Sequence, residues 1–177
     1  MARFDSALEM VLAHEGRGAA TNDPGGRTDY GISERAHPDA WADGEISSDE
    51  VWSIYHTHYW APIKGEQFRD ERLALEVFDF AVNAGVARAS VVLQQAYNAI
   101  FSDKPRLAED GKIGPLTLGA VNALSGNLAT AMYQYYVARR VRFYESTSYV
   151  KTHGWKNRRG WLARCGCGER WTAKHPE

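Results

Sequence analysis

Apolar side chains recur at intervals of three and four along most of this sequence, and glycine or proline interrupts each run. That period suits α-helices with one buried face. Phe4, Leu8, Val11 and Leu12 mark such a face over residues 3–14. Ser47 and Glu50 make a capping-box pair ahead of Val51, Trp52, Tyr55 and Tyr59, which predicts a helix to about Trp60, closed by Pro62. Helices are also expected over 72–84, from about 87 to 100, and from Pro115 toward Leu124. A longer one runs over 127–147, with Leu128, Met132, Tyr135, Tyr136, Val141 and Tyr144 inward. The tail after Gly154 reads as irregular. Only residues 19–34, with Asn22-Asp23-Pro24-Gly25-Gly26 and Thr28-Asp29-Tyr30-Gly31-Ile32, form a turn-rich stretch holding one or two short strands at most. The fold class is therefore α+β, mainly α, with one small β hairpin near the N-terminal end. No repeat or linker divides the 177 residues, so a single domain over 1–177 is expected.

Several classes of function fall away. No apolar run approaches the roughly 18 residues of a membrane span, and Met1 leads directly into Arg3-Phe4-Asp5 with no signal sequence. A chain made in the cytoplasm and acting elsewhere only after release is the expectation. Cys165 and Cys167 are too closely spaced for an ordinary disulfide framework or the usual zinc pair. His56 and His58 point to different sides of a helix, so no metal is required and no cofactor is expected. There is no phosphate-cradling loop and no serine or cysteine with a spaced base. Residues 128–177 carry ten Lys or Arg against three acids, Arg139, Arg140, Arg142 and Arg164 among them. This basic end suits an anionic envelope polymer, and it reads equally well as a solvated helix face. A nucleic-acid partner is not expected, because no reading motif is recognisable.

Continuing the apolar face of the first helix four residues past Val11 reaches Glu15, just before Gly16 and Gly18 break the pattern. A glutamate held against the apolar end of a helix loses solvation of its charged form. Its pKa is then expected to rise from about 4.3 toward the working pH, which suits a proton donor. The alternative is a helix-end carboxylate bonded to backbone or paired with Arg17. Asp23 and Thr28 follow in the turn-rich stretch, where a carboxylate and a hydroxyl facing the donor can hold a water beneath a sugar ring. Asp23-Pro24-Gly25-Gly26 also reads as a plain turn.

Glu15-Gly16, Asp23-Pro24-Gly25-Gly26, Thr28 and Tyr30-Gly31-Ile32 together resemble the opening signature of the family 108 glycoside hydrolases, phage endolysins and related bacterial muramidases. The resemblance continues in Tyr59-Trp60, in Asp79-Phe80-Ala81-Val82-Asn83-Ala84-Gly85, and in Leu93-Gln94-Gln95-Ala96. It extends through Asp110-Gly111-Lys112-Ile113-Gly114-Pro115-Leu116-Thr117 to Gly154-Trp155-Lys156-Asn157-Arg158, so it spans almost the whole chain. Members often carry a second glycine and an aromatic after the Glu-Gly pair, where this chain has Arg17 and Gly18.

That resemblance implies a lysozyme-like helical fold and hydrolysis of the bond between N-acetylmuramic acid and N-acetylglucosamine in peptidoglycan. Glu15 is implied as the essential acid. The set Glu15, Asp23 and Thr28 also resembles that of phage-type lysozymes, whose two gaps are each about one residue longer. The resemblance further implies a peptidoglycan-binding part, taken here from about residue 110. Tyr30, Tyr59, Trp60, Asn83 and Trp155 are the candidate sugar contacts, because rings stack on pyranose faces and amides bond acetamido groups. A monomer is expected. The rival readings are a chitinase-like glycosidase, and a wall-binding phage structural protein that has lost catalysis.

Overall fold

The structure is a computed structural model that describes residues 2–15, 21–23, 26–146 and 158–166. Its contacts divide the chain into two compact units, Met1–His58 and Tyr59–Glu177.

The first unit opens with α1 (Ala2–Glu15). Phe4, Ala7, Leu8 and Val11 are buried at the predicted helical spacing. Strands β1 (Thr21–Asp23), β2 (Gly26–Asp29) and β3 (Ile32–Ser33) form one antiparallel sheet in that order. The expected hairpin is thus present, and a two-residue third strand extends it. Tyr30 and Gly31 connect β2 to β3 with φ of 51° and 73°. Two successive positive φ values match the right-handed twist of the strands they join. A short 3₁₀ turn (Pro38–Trp41) then leads to α2 (Ser48–Tyr55), whose capping box between Ser47 and Glu50 is complete. The predicted helix to Trp60 changes character after Tyr55, where His56–Trp60 continues as a π-helical turn.

In the second unit, α3 (Glu71–Ala84) and α4 (Val86–Ile100) meet at Gly85, whose φ of 91° breaks the helix between them. Asp70 caps α3 by accepting from the backbone N–H groups of Arg72 and Leu73. α5 (Pro115–Asn122) starts at its proline, and α6 (Gly126–Glu145) packs against α3 and α4. A last helix, α7 (Arg158–Arg164), stands where the tail was expected to be irregular. Trp161 is buried and stacks on Tyr144 at 5.8 Å, so aromatic packing stabilises a segment whose glycine discourages a helical reading.

The inward face of α6 also differs from expectation. Met132, Tyr136 and Tyr144 are buried, but Leu128 and Tyr135 are exposed, at 51% and 37%. In their place Tyr133 and Arg140 turn inward. Arg140 therefore leaves the basic surface patch to which its charge had assigned it, and so does Arg164. Arg139 bonds Gln95 at 2.8 Å, and Arg142 remains exposed. No helix among the described residues is long and apolar enough to cross a membrane.

Candidate active site

Helix α1 extends to Glu15, so the backbone brings that position to the helix end, as the apolar period required. The sheet that follows has a defined register. Thr21 pairs with Thr28 and Asp23 with Gly26 across β1 and β2. Directly opposed residues share a face of an antiparallel pair, and so do residues two apart along one strand. Positions 23 and 28 therefore lie on the same face, as diagonal neighbours. The side chains of Glu15 and Asp23 lie outside the described residues. Thr28 is half-buried in the central strand.

Arg27 alternates with Thr28 and takes the other face. Its guanidinium donates twice to Glu34, at 3.1 and 3.0 Å, and once to the Gly44 carbonyl at 2.6 Å. It also lies 5.1 Å from the centre of the Trp41 ring. The hydrogen bond from Arg27 holds the Glu34 carboxyl below the usual carboxylate range. This clamp ties β2 to β3 and to the following turn, fixing the strand that presents Thr28. Sequence reasoning missed it, although charges seven residues apart across a predicted hairpin were the available signal.

The candidate sugar contacts are divided between the two units. Tyr30 is half-buried beside α2, where its carbonyl accepts from the Tyr55 hydroxyl at 2.8 Å. Tyr59 and Asn83 are half-buried in the second unit. Trp60 is a correction: it is only 1% exposed, its indole donates to Glu66 at 3.0 Å, and its ring meets Phe78 edge-on at 5.2 Å. A Cβ added at Gly65 would lie 2.3 Å from that ring, so glycine backbone covers one face. Trp60 is core, and no sugar can stack on it in this arrangement. Trp155 lies outside the described residues.

The motifs of the second unit that carry the resemblance have structural duties. Gln94, buried on α4, donates to Asp110 Oδ1 at 2.8 Å and to the Lys112 carbonyl at 3.0 Å, and accepts from the Gly111 N–H at 3.1 Å. Gly111 has φ of 75°, and a Cβ there would lie 3.0 Å from the Ala87 carbonyl oxygen. The Asp110–Thr117 turn is therefore pinned to α4 by one amide. Asp79 accepts from both Arg140 and Arg164, the latter at 2.7 Å, while Arg140 also bonds Glu76 at 2.7 Å. Burial pushes the Asp79 carboxyl up, but the two guanidiniums outweigh it and hold the group below its ordinary range. Among the described residues, two carboxylates and two guanidiniums pair within the buried core. Among the described residues no three His, Cys, Asp or Glu side chains converge as metal ligands. Cys165 is half-buried with its thiol toward the Trp161 carbonyl, and Cys167 lies outside the described residues.

Residues 8–85 match glycosyl hydrolase 108, and residues 88–165 match the predicted peptidoglycan domain, which begins ahead of the expected position 110. The structure of Brucella abortus SagA is similar, with a TM-score of 0.70 and 26% identity, covering 99% of this chain and 97% of that one. No curated protein sequence matches the chain. The first match takes in Glu15, Asp23 and Thr28, and the second takes in α4 through α7. Over its first half the chain is similar to the glycosyl hydrolase 108 family and over its second half to a predicted peptidoglycan domain, a pairing that supports a glycoside hydrolase acting on peptidoglycan.

Proposed function

We propose that the protein is an N-acetylmuramidase, hydrolysing the bond between N-acetylmuramic acid and N-acetylglucosamine with Glu15 as general acid. The observation that carries this reading is the backbone arrangement within the glycosyl hydrolase segment. A helix ends at Glu15, and the hairpin after it places positions 23 and 28 on one face. Glu15 gives its proton to the leaving glycosidic oxygen as positive charge develops on the ring. Asp23 and Thr28 hold a water on the opposite side of the anomeric carbon. As that water attacks, Asp23 takes its proton.

Mass spectrometry of the fragments released from purified peptidoglycan tests the bond and the acid together. Fragments ending in reducing N-acetylmuramic acid are expected from the wild type and not from a folded Glu15→Gln variant. Fragments ending in reducing N-acetylglucosamine would refute the bond assignment. Equal release by Glu15→Gln would refute the acid. In its biological setting the enzyme is proposed to act as an endolysin, made in the cytoplasm and reaching the wall through a separate pore. Lysis of permeabilised but not intact cells by added protein is the expected result.

A further inference from the structure

A cleft of about 340 Å³ lies within the first unit, between α1 and α2. Its floor is apolar, made by Leu8, Leu12 and Val51, and its rim carries the carboxylates of Asp5, Glu9 and Asp49. All three acids are solvent-exposed, and none forms an ion pair among the described residues. Trp52 is 39% exposed at the same rim. Its orientation is fixed by stacking on His56 at 4.7 Å, by the edge of Phe4 at 5.1 Å, and by its indole N–H donating to Asp5 at 2.8 Å. The unit as a whole carries eleven carboxylates against four arginines.

This combination selects a ligand. An anion is repelled by the rim, and a neutral sugar leaves three carboxylates without a counter-charge. An alkyl chain ending in a primary ammonium satisfies both parts, with methylenes along the leucine floor and the cation among the carboxylates beside the Trp52 ring. Cleft-lining positions 5, 8, 9 and 12 of α1 form one row of the helix, and position 15 is the next on it. A ligand in the cleft thus points along the helix toward the proposed acid.

We infer that this cleft seats the aminoalkyl side chain of the diamino acid in the peptide stem of peptidoglycan. The inference rests on the proposed action on peptidoglycan, since the stem hangs from the same muramic acid residue whose bond is cut. It makes the enzyme a reader of the peptide as well as of the glycan. A wall whose stems have blocked amines becomes a poorer substrate.

The test uses the full chain carrying Glu15→Gln, with binding read from the Trp52 indole N–H by NMR. The probes are a lysine-containing stem tetrapeptide and the same peptide acetylated at its side-chain amine. The free amine is expected to shift the Trp52 signal, and acetylation to weaken binding about tenfold. Adding Glu9→Gln and Asp49→Asn is expected to weaken the free-amine peptide to a similar degree, with an unchanged melting temperature. Equal binding of the two peptides, or no response at Trp52, overturns the inference. So does a Trp52 response to chitooligosaccharide alone, which would make the cleft a sugar subsite. Because binding is read on a catalytically disabled chain, a wild type that releases no glycan fragments refutes the muramidase reading without deciding this one.

Discussion

Tyr30 occupies a backbone conformation that asparagine or glycine adopts more cheaply, with φ of 51° in the turn between β2 and β3. A side chain in the left-handed region costs about 1–2 kcal/mol, so the ring is retained against a local preference. It lines the cleft between α1 and α2. Tyr30→Asn is therefore expected to leave stability unchanged or raise it by about 1 kcal/mol while reducing peptidoglycan turnover. Urea denaturation and fragment release measure the two effects. A stability loss above about 2 kcal/mol would show instead that the ring is structural. Arg140 presents the opposite case, a charge with no exposure at all. Arg140→Met takes the Arg140 guanidinium from both Glu76 and Asp79, and is expected to cost about 3–5 kcal/mol in a denaturant titration.

Among the elements, α1, α3 and α4 were legible because apolar residues recur along each at helical spacing, although α3 also buries Glu76 and Asp79 and α4 buries Ser90, Gln94 and Asn98. The Ser47–Glu50 capping box was legible for a similar reason, since both partners are local. Two features were not. The inward placement of Arg140 depends on carboxylates 61 and 64 residues earlier, and no local pattern carries that information. Helix α7 depends on Trp161 meeting Tyr144 and on Arg164 meeting Asp79, again over long separations. At the candidate site the place of Glu15 at a helix end was readable from helical spacing, and its proposed role rests on the resemblance. The Arg27 clamp and the Trp52 cleft were not found, because each is assembled from several segments. Arg164→Met is expected to release α7 while α3 and α4 persist. Hydrogen exchange checks this: protection over 158–164 disappears, and protection over 71–100 is retained in native conditions. Uniform loss across both regions would mean that α7 is integral to the core's cooperativity.

For the whole molecule, the resolved titration shifts set a pH window. The carboxyls of Asp79, Glu34, Glu109 and Asp110 all lie below their ordinary values. Their contribution is complete above about pH 4–5 and is lost as pH falls through the lower folded values. Desolvation and then the nearby His58 lower the pKa of His37, so the unfolded chain takes up that proton first and stability begins to fall below about pH 6.5. Burial raises Tyr97, Tyr136 and Tyr144, so their contribution is present below about pH 10 and disappears as pH rises through their higher folded values. The melting temperature is expected to be highest between about pH 7 and 10 and to fall on both sides. A calorimetric maximum near pH 5 would contradict this assignment.

The paired charges of the second unit also have a consequence for the order in which the chain is made. Asp79 emerges from the ribosome 61 residues ahead of Arg140 and 85 ahead of Arg164. At about 5–20 residues per second, the first of those delays lasts roughly 3–12 seconds. During that interval α3 carries Glu76 and Asp79 on its future inner face before Arg140 and Arg164 are made, so hydration of the carboxylates opposes burial of that face. The inner face of α3 is thereby expected to close only once the later cations are present, which couples the order of synthesis to the order of burial.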